Sequence, residues 1–232
     1  MLNNKNIILF FLLFCIIIFL FYKTLIKNHK FFNNEYFTNT SLQDLDEINK
    51  FYMDKSFITV DNSSHGKEYN LTYGELTIDG LKNIQSYLKN KNLSKDIFID
   101  LGSGNGRTLF YSIILGFSKA KGVEIVKERH DFATRAKNKL NKFSSNIKLL
   151  NDDLFKLPKN FFSNNSVIFI SNLVFPIETT QKIFEFLNKM LEHDNILVVS
   201  KIPDNLLDFK LLDKIKAPMS WSKDSDVYIL KK

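Results

Sequence analysis

The stretch Asp100-Leu101-Gly102-Ser103-Gly104-Asn105-Gly106 joins an apolar strand-like run, Ile97-Phe98-Ile99, to a helix-like run, Thr108-Leu109-Phe110-Tyr111-Ser112-Ile113-Ile114. A strand that feeds a glycine loop and then a helix commits the chain to an α/β unit with a ligand cradle at the turn. Glycine permits the positive φ of a tight turn and adds no Cβ to obstruct a ligand, while the unpaired N–H groups at the helix start face whatever binds there. A dinucleotide fingerprint would read G-x-G-x-x-G, and a phosphate loop would close on Gly-Lys-Ser/Thr. Here the glycines fall at 102, 104 and 106 behind an acid at 100.

A second strand candidate, Ala120-Lys121-Gly122-Val123-Glu124-Ile125, follows the helix. Its acid lies about 20 residues beyond the loop, where nucleotide-binding βαβ units place a carboxylate on ribose hydroxyls. Loop and acid together follow the pattern of enzymes that use S-adenosyl-L-methionine (SAM), with Gly102, Gly104, Gly106 and Glu124 as cofactor-binding candidates. The alternative is a plain α/β turn with a solvated Glu.

At 232 residues the chain supports one well-buried catalytic domain plus an appendage. A single cysteine excludes a disulfide scaffold and a cysteine-rich zinc site, and His29, His65, His130 and His193 show no ligand spacing, so no metal is expected. The net charge of +7 is spread along the chain. It is densest in Lys127, Arg129, Arg135, Lys137, Lys139 and Lys142, on a helix whose apolar face is Phe132, Ala133, Ala136 and Leu140. Residues 127–142 read as an ordinary solvated face, or alternatively as a contact for nucleic acid or anionic lipid.

Residues 7–22 carry no charge and almost no polar atom. Tyr22 and the flanking Lys5 and Lys23 suit the two interfaces of a bilayer, and no small-residue cleavage site follows, so residues 1–27 read as an uncleaved transmembrane anchor. Lys23, Lys27 and Lys30 on its C-terminal side place the remainder in the cytoplasm, as a single-pass membrane protein.

Residues 28–66 read as a tether followed by a helical segment, with Leu42, Leu45, Ile48, Phe51 and Tyr52 at helical spacing. Residues 67–232 form the catalytic domain, beginning with a helix expected from Glu75 to Lys91. Further strands are expected at 146–150, 166–170 and 195–200, with a helix from Ile177 to Leu191 between the last two. Pro218 to Trp221 and Val227 to Leu230 read as a closing hairpin. This alternation predicts an α/β, Rossmann-like sheet with helices on both faces, preceded by the short helical segment and the transmembrane helix.

Several stretches then occur in the same order as in the disruptor-of-telomeric-silencing family, which this chain resembles over residues 68–230. They are Leu71-Thr72-Tyr73-Gly74-Glu75, Asp100 to Gly106, Gly122-Val123-Glu124, Ser166 to Phe175, Ser200-Lys201-Ile202-Pro203, and Met219-Ser220-Trp221 with Val227-Tyr228. The family comprises non-SET histone-lysine methyltransferases of the class I SAM fold. The resemblance implies that Asp100 and the glycine loop meet the methionine portion of SAM and Glu124 the ribose. It implies Asp153 and Leu154 at the adenine, with Asp152 the lesser acid, and Tyr73 and Glu75 folding over the cofactor. Ser171-Asn172-Leu173-Val174-Phe175 matches the family's Asn-Asn-Phe-Ala-Phe and implies a lysine channel of Ser171, Asn172, Phe175 and Tyr228, with Trp221 nearby. The chain departs at Ser171, and its anchor offers no route to chromatin unless the membrane faces a nucleus or a viral replication site. A histone in a nucleosome is therefore one expected substrate and a lysine of a membrane protein another. Small-molecule or nucleic-acid methylation and a non-catalytic SAM-fold binding module remain as alternatives.

Overall fold

The computed structural model describes residues 39–53 and 74–232. The expected anchor at 7–22, the expected tether up to residue 38 and Tyr73 lie outside them, while 39–45 of that tether are helical; among the described residues no helix is long and apolar enough to cross a membrane. Packing divides the chain into Met1–Asp44 and Leu45–Lys232, with the break inside the helical segment.

Helix α1 spans Asn39–Met53 and α2 spans Ile78–Asn90. The expected start of α2 at Glu75 is three residues early, because Thr77 caps the helix. Its Oγ1 accepts from the Gly80 N–H at 3.1 Å, and its extended backbone, with φ of −74° and ψ of 165°, turns the chain out of the helix. Glu75 and Leu76 lie before the helix, with Leu76 in a bridge to Met219.

Strand β1 (Ile97–Leu101), helix α3 (Arg107–Ile114), strand β2 (Lys119–Glu124), helix α4 (Lys127–Lys139) and strand β3 (Ile147–Asn151) alternate as expected. Strand β4 (Ser166–Ile170), helix α5 (Ile177–Met190) and strand β5 (Ile196–Val199) continue the alternation. The hairpin differs from expectation. Its arms are β6 (Lys210–Lys216) and β7 (Asp226–Lys231), and Pro218 to Trp221 belong to the loop between them. Exposed lysines and Asp213 break the apolar alternation of β6, and its register slips between Leu211 and Asp213, which hides an edge strand from period-two reading.

The seven strands run in the order β3-β2-β1-β4-β5-β7-β6, parallel except for β7, which is antiparallel to both β5 and β6. Ile99, Leu101, Ile168, Ile170, Leu197 and Val199 pack with Ile183, Phe184 and Leu187 of α5 in one cluster. Successive side chains of a strand point to opposite faces, and Phe98 and Phe169 stack on the other, 6.4 Å between ring centroids. Apolar side chains thus cover both faces, leaving the C-terminal strand edge as the place for function.

Candidate active site

Strand order converts scattered motifs into one row. Asp153 follows β3, Glu124 ends β2, Asp100 lies in β1, Ser171 and Asn172 follow β4, Ser200 follows β5, and Tyr228 in β7 pairs with Val199 of β5. Strand order reverses at β1 and β4, and it is outside such a reversal that open α/β sheets bind ligands. The nucleotide-type residues sit on the β3-β2-β1 side and the channel-type residues on the β4-β5-β7 side.

The glycine loop is held from within. Gly102 and Ser103 both donate to the Val123 carbonyl at 2.9 Å, and the Gly104 N–H donates to Glu124 Oε2 at 2.7 Å. The other Glu124 oxygen accepts from the Val126 N–H at 2.8 Å, so the buried carboxylate ties loop to strand end and keeps a lone pair on each oxygen. Gly102 has φ of 92°, and a Cβ built there would meet nothing within 4 Å; the space beside it is open for a ligand. Gly106 has φ of 80°, and a Cβ would lie 2.9 Å from that of Ala133, so this glycine serves the approach of α4.

Asp100 is 4% exposed, and its carboxyl is pushed up to about 8, first by burial, then by the charges of Glu124 and Glu75. Three carboxylates in one place call for a cation. Arg107 supplies part of it, with Nη1 3.5 Å from Glu75 Oε2. Asp153 Oδ1 accepts from the Phe155 N–H at 3.0 Å and caps the single turn 154–156, while Asp152 Oδ1 accepts from the Asp153 N–H at 2.8 Å. Leu154 is half-buried against the apolar cluster.

Glu75 belongs to a segment clamped by the hairpin loop. Its N–H donates to Ser220 Oγ at 2.9 Å, the Ser220 N–H returns to the Glu75 carbonyl at 2.8 Å, and Leu76 bridges Met219. The Trp221 ring lies on Gly74, where a Cβ would fall 2.1 Å from Cζ3. Trp221 is therefore engaged with the segment carrying Glu75.

Asn172 is fully buried and commits its amide to the β5 end. Its Oδ1 accepts from the N–H groups of Ser200 and Lys201, each at 3.0 Å, and its Nδ2 donates to the Lys201 carbonyl at 2.8 Å. Phe175 and Tyr228, both half-buried, pack against the same apolar cluster, and Lys201 Nζ donates to the Phe175 carbonyl. Ser171 is half-buried.

Two features were not legible as site residues. Ser200 is 6% exposed and its hydroxyl has no partner among the described residues; a serine closing an apolar strand at this edge was the available signal. Arg129, placed on the solvated basic face by its spacing, is buried at 6% exposure, leaving Lys127, Arg135, Lys137 and Lys139 on the outer surface of α4, with Lys127 paired to Asp131 at 2.6 Å. Phe132, Ala133, Ala136 and Leu140 are buried as expected.

Residues 56–225 match the family described as histone methylation protein DOT1. The chain belongs to that family. With this fold, membership makes it a methyltransferase that uses SAM. No curated protein matches the chain. Among solved structures, an RNA methyltransferase from Salinibacter ruber in complex with S-adenosyl-L-homocysteine (SAH) is 17% identical, covering 63% of this chain and 87% of its own, with a TM-score of 0.49. The B. subtilis tRNA methyltransferase TrmK is also 17% identical, with coverage of 63% and 64% and a TM-score of 0.50. The mitomycin 7-O-methyltransferase MmcR is 8% identical, with coverage of 67% and 53% and a TM-score of 0.50. This DOT1-family chain spans less than two thirds of the last two, and the likeness is one of fold.

Proposed function

We propose that the chain methylates the ε-amine of a protein lysine. The observation that carries this reading is the arrangement at the β4 and β5 ends, where Asn172 is spent on backbone, Ser200 keeps an unpartnered hydroxyl, and Phe175 and Tyr228 share one apolar cluster. A long cationic side chain entering such a place would shed water. Desolvation lowers its pKa and yields the neutral amine that must attack, while Ser200 and Ser171 offer it hydrogen bonds. SAM, when bound, supplies a methyl already activated by a sulfonium. The chain's task is to align the amine with that methyl and exclude water. Asp100, Gly102, Gly104, Gly106, Glu124, Asp153, Leu154, Glu75 and Tyr73 are proposed to hold the cofactor. The open space beside Gly102 and the free lone pairs of Glu124 fit it.

Residues 7–22 are proposed as a single-pass anchor that keeps the domain on the cytoplasmic side, and a lysine of a membrane protein stands beside the nucleosome as target. The basic outer face of α4 would contact nucleic acid or anionic lipid.

The test uses labelled SAM with nucleosomes and with membrane fractions. Tyr228→Ala should cut methyl transfer by about tenfold or more while SAH affinity stays within about twofold, since a group that acts on the chemical step alone leaves ligand binding intact. Label on nucleic acid or small molecules instead of lysine would overturn the reading. Label on a membrane protein but never on nucleosomes would keep lysine and discard the histone.

A further inference from the structure

Tyr52 reaches the glycine loop from α1, across a sequence separation of 53 residues. Its hydroxyl donates to the Asn105 carbonyl at 2.8 Å, and the residue is 3% exposed. The guanidinium of Arg107 lies over its ring, 4.6 Å from the centroid, and the same guanidinium pairs with Glu75 at 3.5 Å. One phenol therefore touches both walls of the cradle: the glycine loop through its oxygen and Glu75 through the cation on its face.

Chemistry makes both contacts durable. Burial, and then the charge of Glu75, push the Tyr52 phenol well up, against the opposing pull of Arg107, so the hydroxyl remains a donor wherever the protein is folded. A guanidinium over a desolvated ring gains from the quadrupole and loses rotamer freedom, which holds the fork toward Glu75. Phe110 and Phe132 pack edge-on or tilted against the ring, 6.2 and 5.6 Å between centroids, and leave it little room to turn. Elsewhere on α1, Asn49 Oδ1 accepts from the Tyr111 hydroxyl at 2.8 Å, which fixes the rotation of the helix on α3.

We infer that Tyr52 is a positioning residue for the amino-acid end of the cofactor, holding the glycine loop and, through Arg107, Glu75 in the geometry that receives the α-ammonium and α-carboxylate. The inference rests on the proposed placement of that end beside Asp100, Glu75 and the loop. It makes α1, which precedes the matched family motifs, a working part of the cradle.

The experiment compares two ligands on the full chain by calorimetry: SAH, and methylthioadenosine, which keeps the nucleoside but lacks the amino-acid group. Tyr52→Leu removes both contacts and should weaken SAH by about tenfold, the scale of losing a hydrogen bond and an ordered ion pair, with methylthioadenosine changed by less than about twofold. Tyr52→Phe keeps the ring under Arg107 and should lie between wild type and Tyr52→Leu. In Arg107→Gln the further change Tyr52→Leu should cost less than in wild type, because part of its effect passes through the guanidinium. Equal losses for the two ligands, or no loss for SAH in a variant that still folds, would overturn the inference and reduce Tyr52 to packing. A wild-type chain that binds methylthioadenosine but gains nothing from the amino-acid end would overturn the placement on which it rests.

Discussion

Asp100 shows how much one residue can give up for a site. Its carboxyl belongs near 3.8 in an unfolded chain and near 8 in the folded one, because burial and two neighbouring carboxylates oppose its charge. A raised folded value means that the folded state holds the proton more tightly. The ligand-free protein therefore loses stability as pH climbs from about 4 towards 8; the loss is absent below about 4 and complete above about 8. A cofactor cation in the cradle favours the carboxylate, so binding at neutral pH should release a proton, and affinity should rise with pH up to the ligand-free value. Calorimetry of SAH in buffers of differing ionisation enthalpy measures the release. Asp100→Asn should abolish it, raise the melting temperature of the ligand-free protein at neutral pH, and weaken SAH. No proton release from wild type would mean that Asp100 does not meet the cation.

At the scale of elements, the segment from Gly74 to Thr77 is pinned by a loop more than 140 residues away in sequence. Thr77 caps α2, donates to the Pro218 carbonyl at 2.8 Å from its hydroxyl, and donates to it again from its N–H at 3.2 Å. Thr77→Ala should lower unfolding stability by about 1–2 kcal/mol, the scale of a lost cap, with Thr77→Ser recovering most of it in denaturant titrations. A change confined to SAH affinity, with stability untouched, would contradict a capping role. Legibility was uneven at this scale. Strands β4 and β5 carry continuous apolar runs and were readable to within a residue or two, whereas β6 carries Lys210, Asp213, Lys214 and Lys216 because it faces solvent at the sheet edge, and so left no trace in the pattern.

For the whole molecule, the catalytic unit begins inside α1 rather than at the first family motif. Ile48 and Tyr52 are 0% and 3% exposed, each a side chain whose burial stabilises by about 1.5–3 kcal/mol, and Phe51 meets Phe132 edge-on at 5.7 Å. A fragment beginning at residue 74 should consequently unfold at lower denaturant than one beginning at residue 39, and it should lose SAH binding along with the contact at Asn105. Equal stability of the two fragments would show that α1 is dispensable.

Local chemistry determined the cradle by itself. A buried strand, three glycines that allow left-handed backbone, an acid at the next strand's end and apolar runs too continuous for a one-sided sheet are properties of adjacent residues, so the α/β unit and its Glu124 follow from their order alone. Tertiary structure decided everything that depended on who meets whom across the sheet. That Asn172 ties its amide to the backbone of Ser200 and Lys201 is nowhere in the order of residues. Arg129 reads as a surface charge until it is buried, and Tyr52 reads as one more apolar position on a helix until Asn105 and Arg107 are found against it. The physical reason is the same in each case: helical and strand periodicity record which face of an element is buried, while the partner on that face is chosen by packing between segments that the chain brings together only when folded.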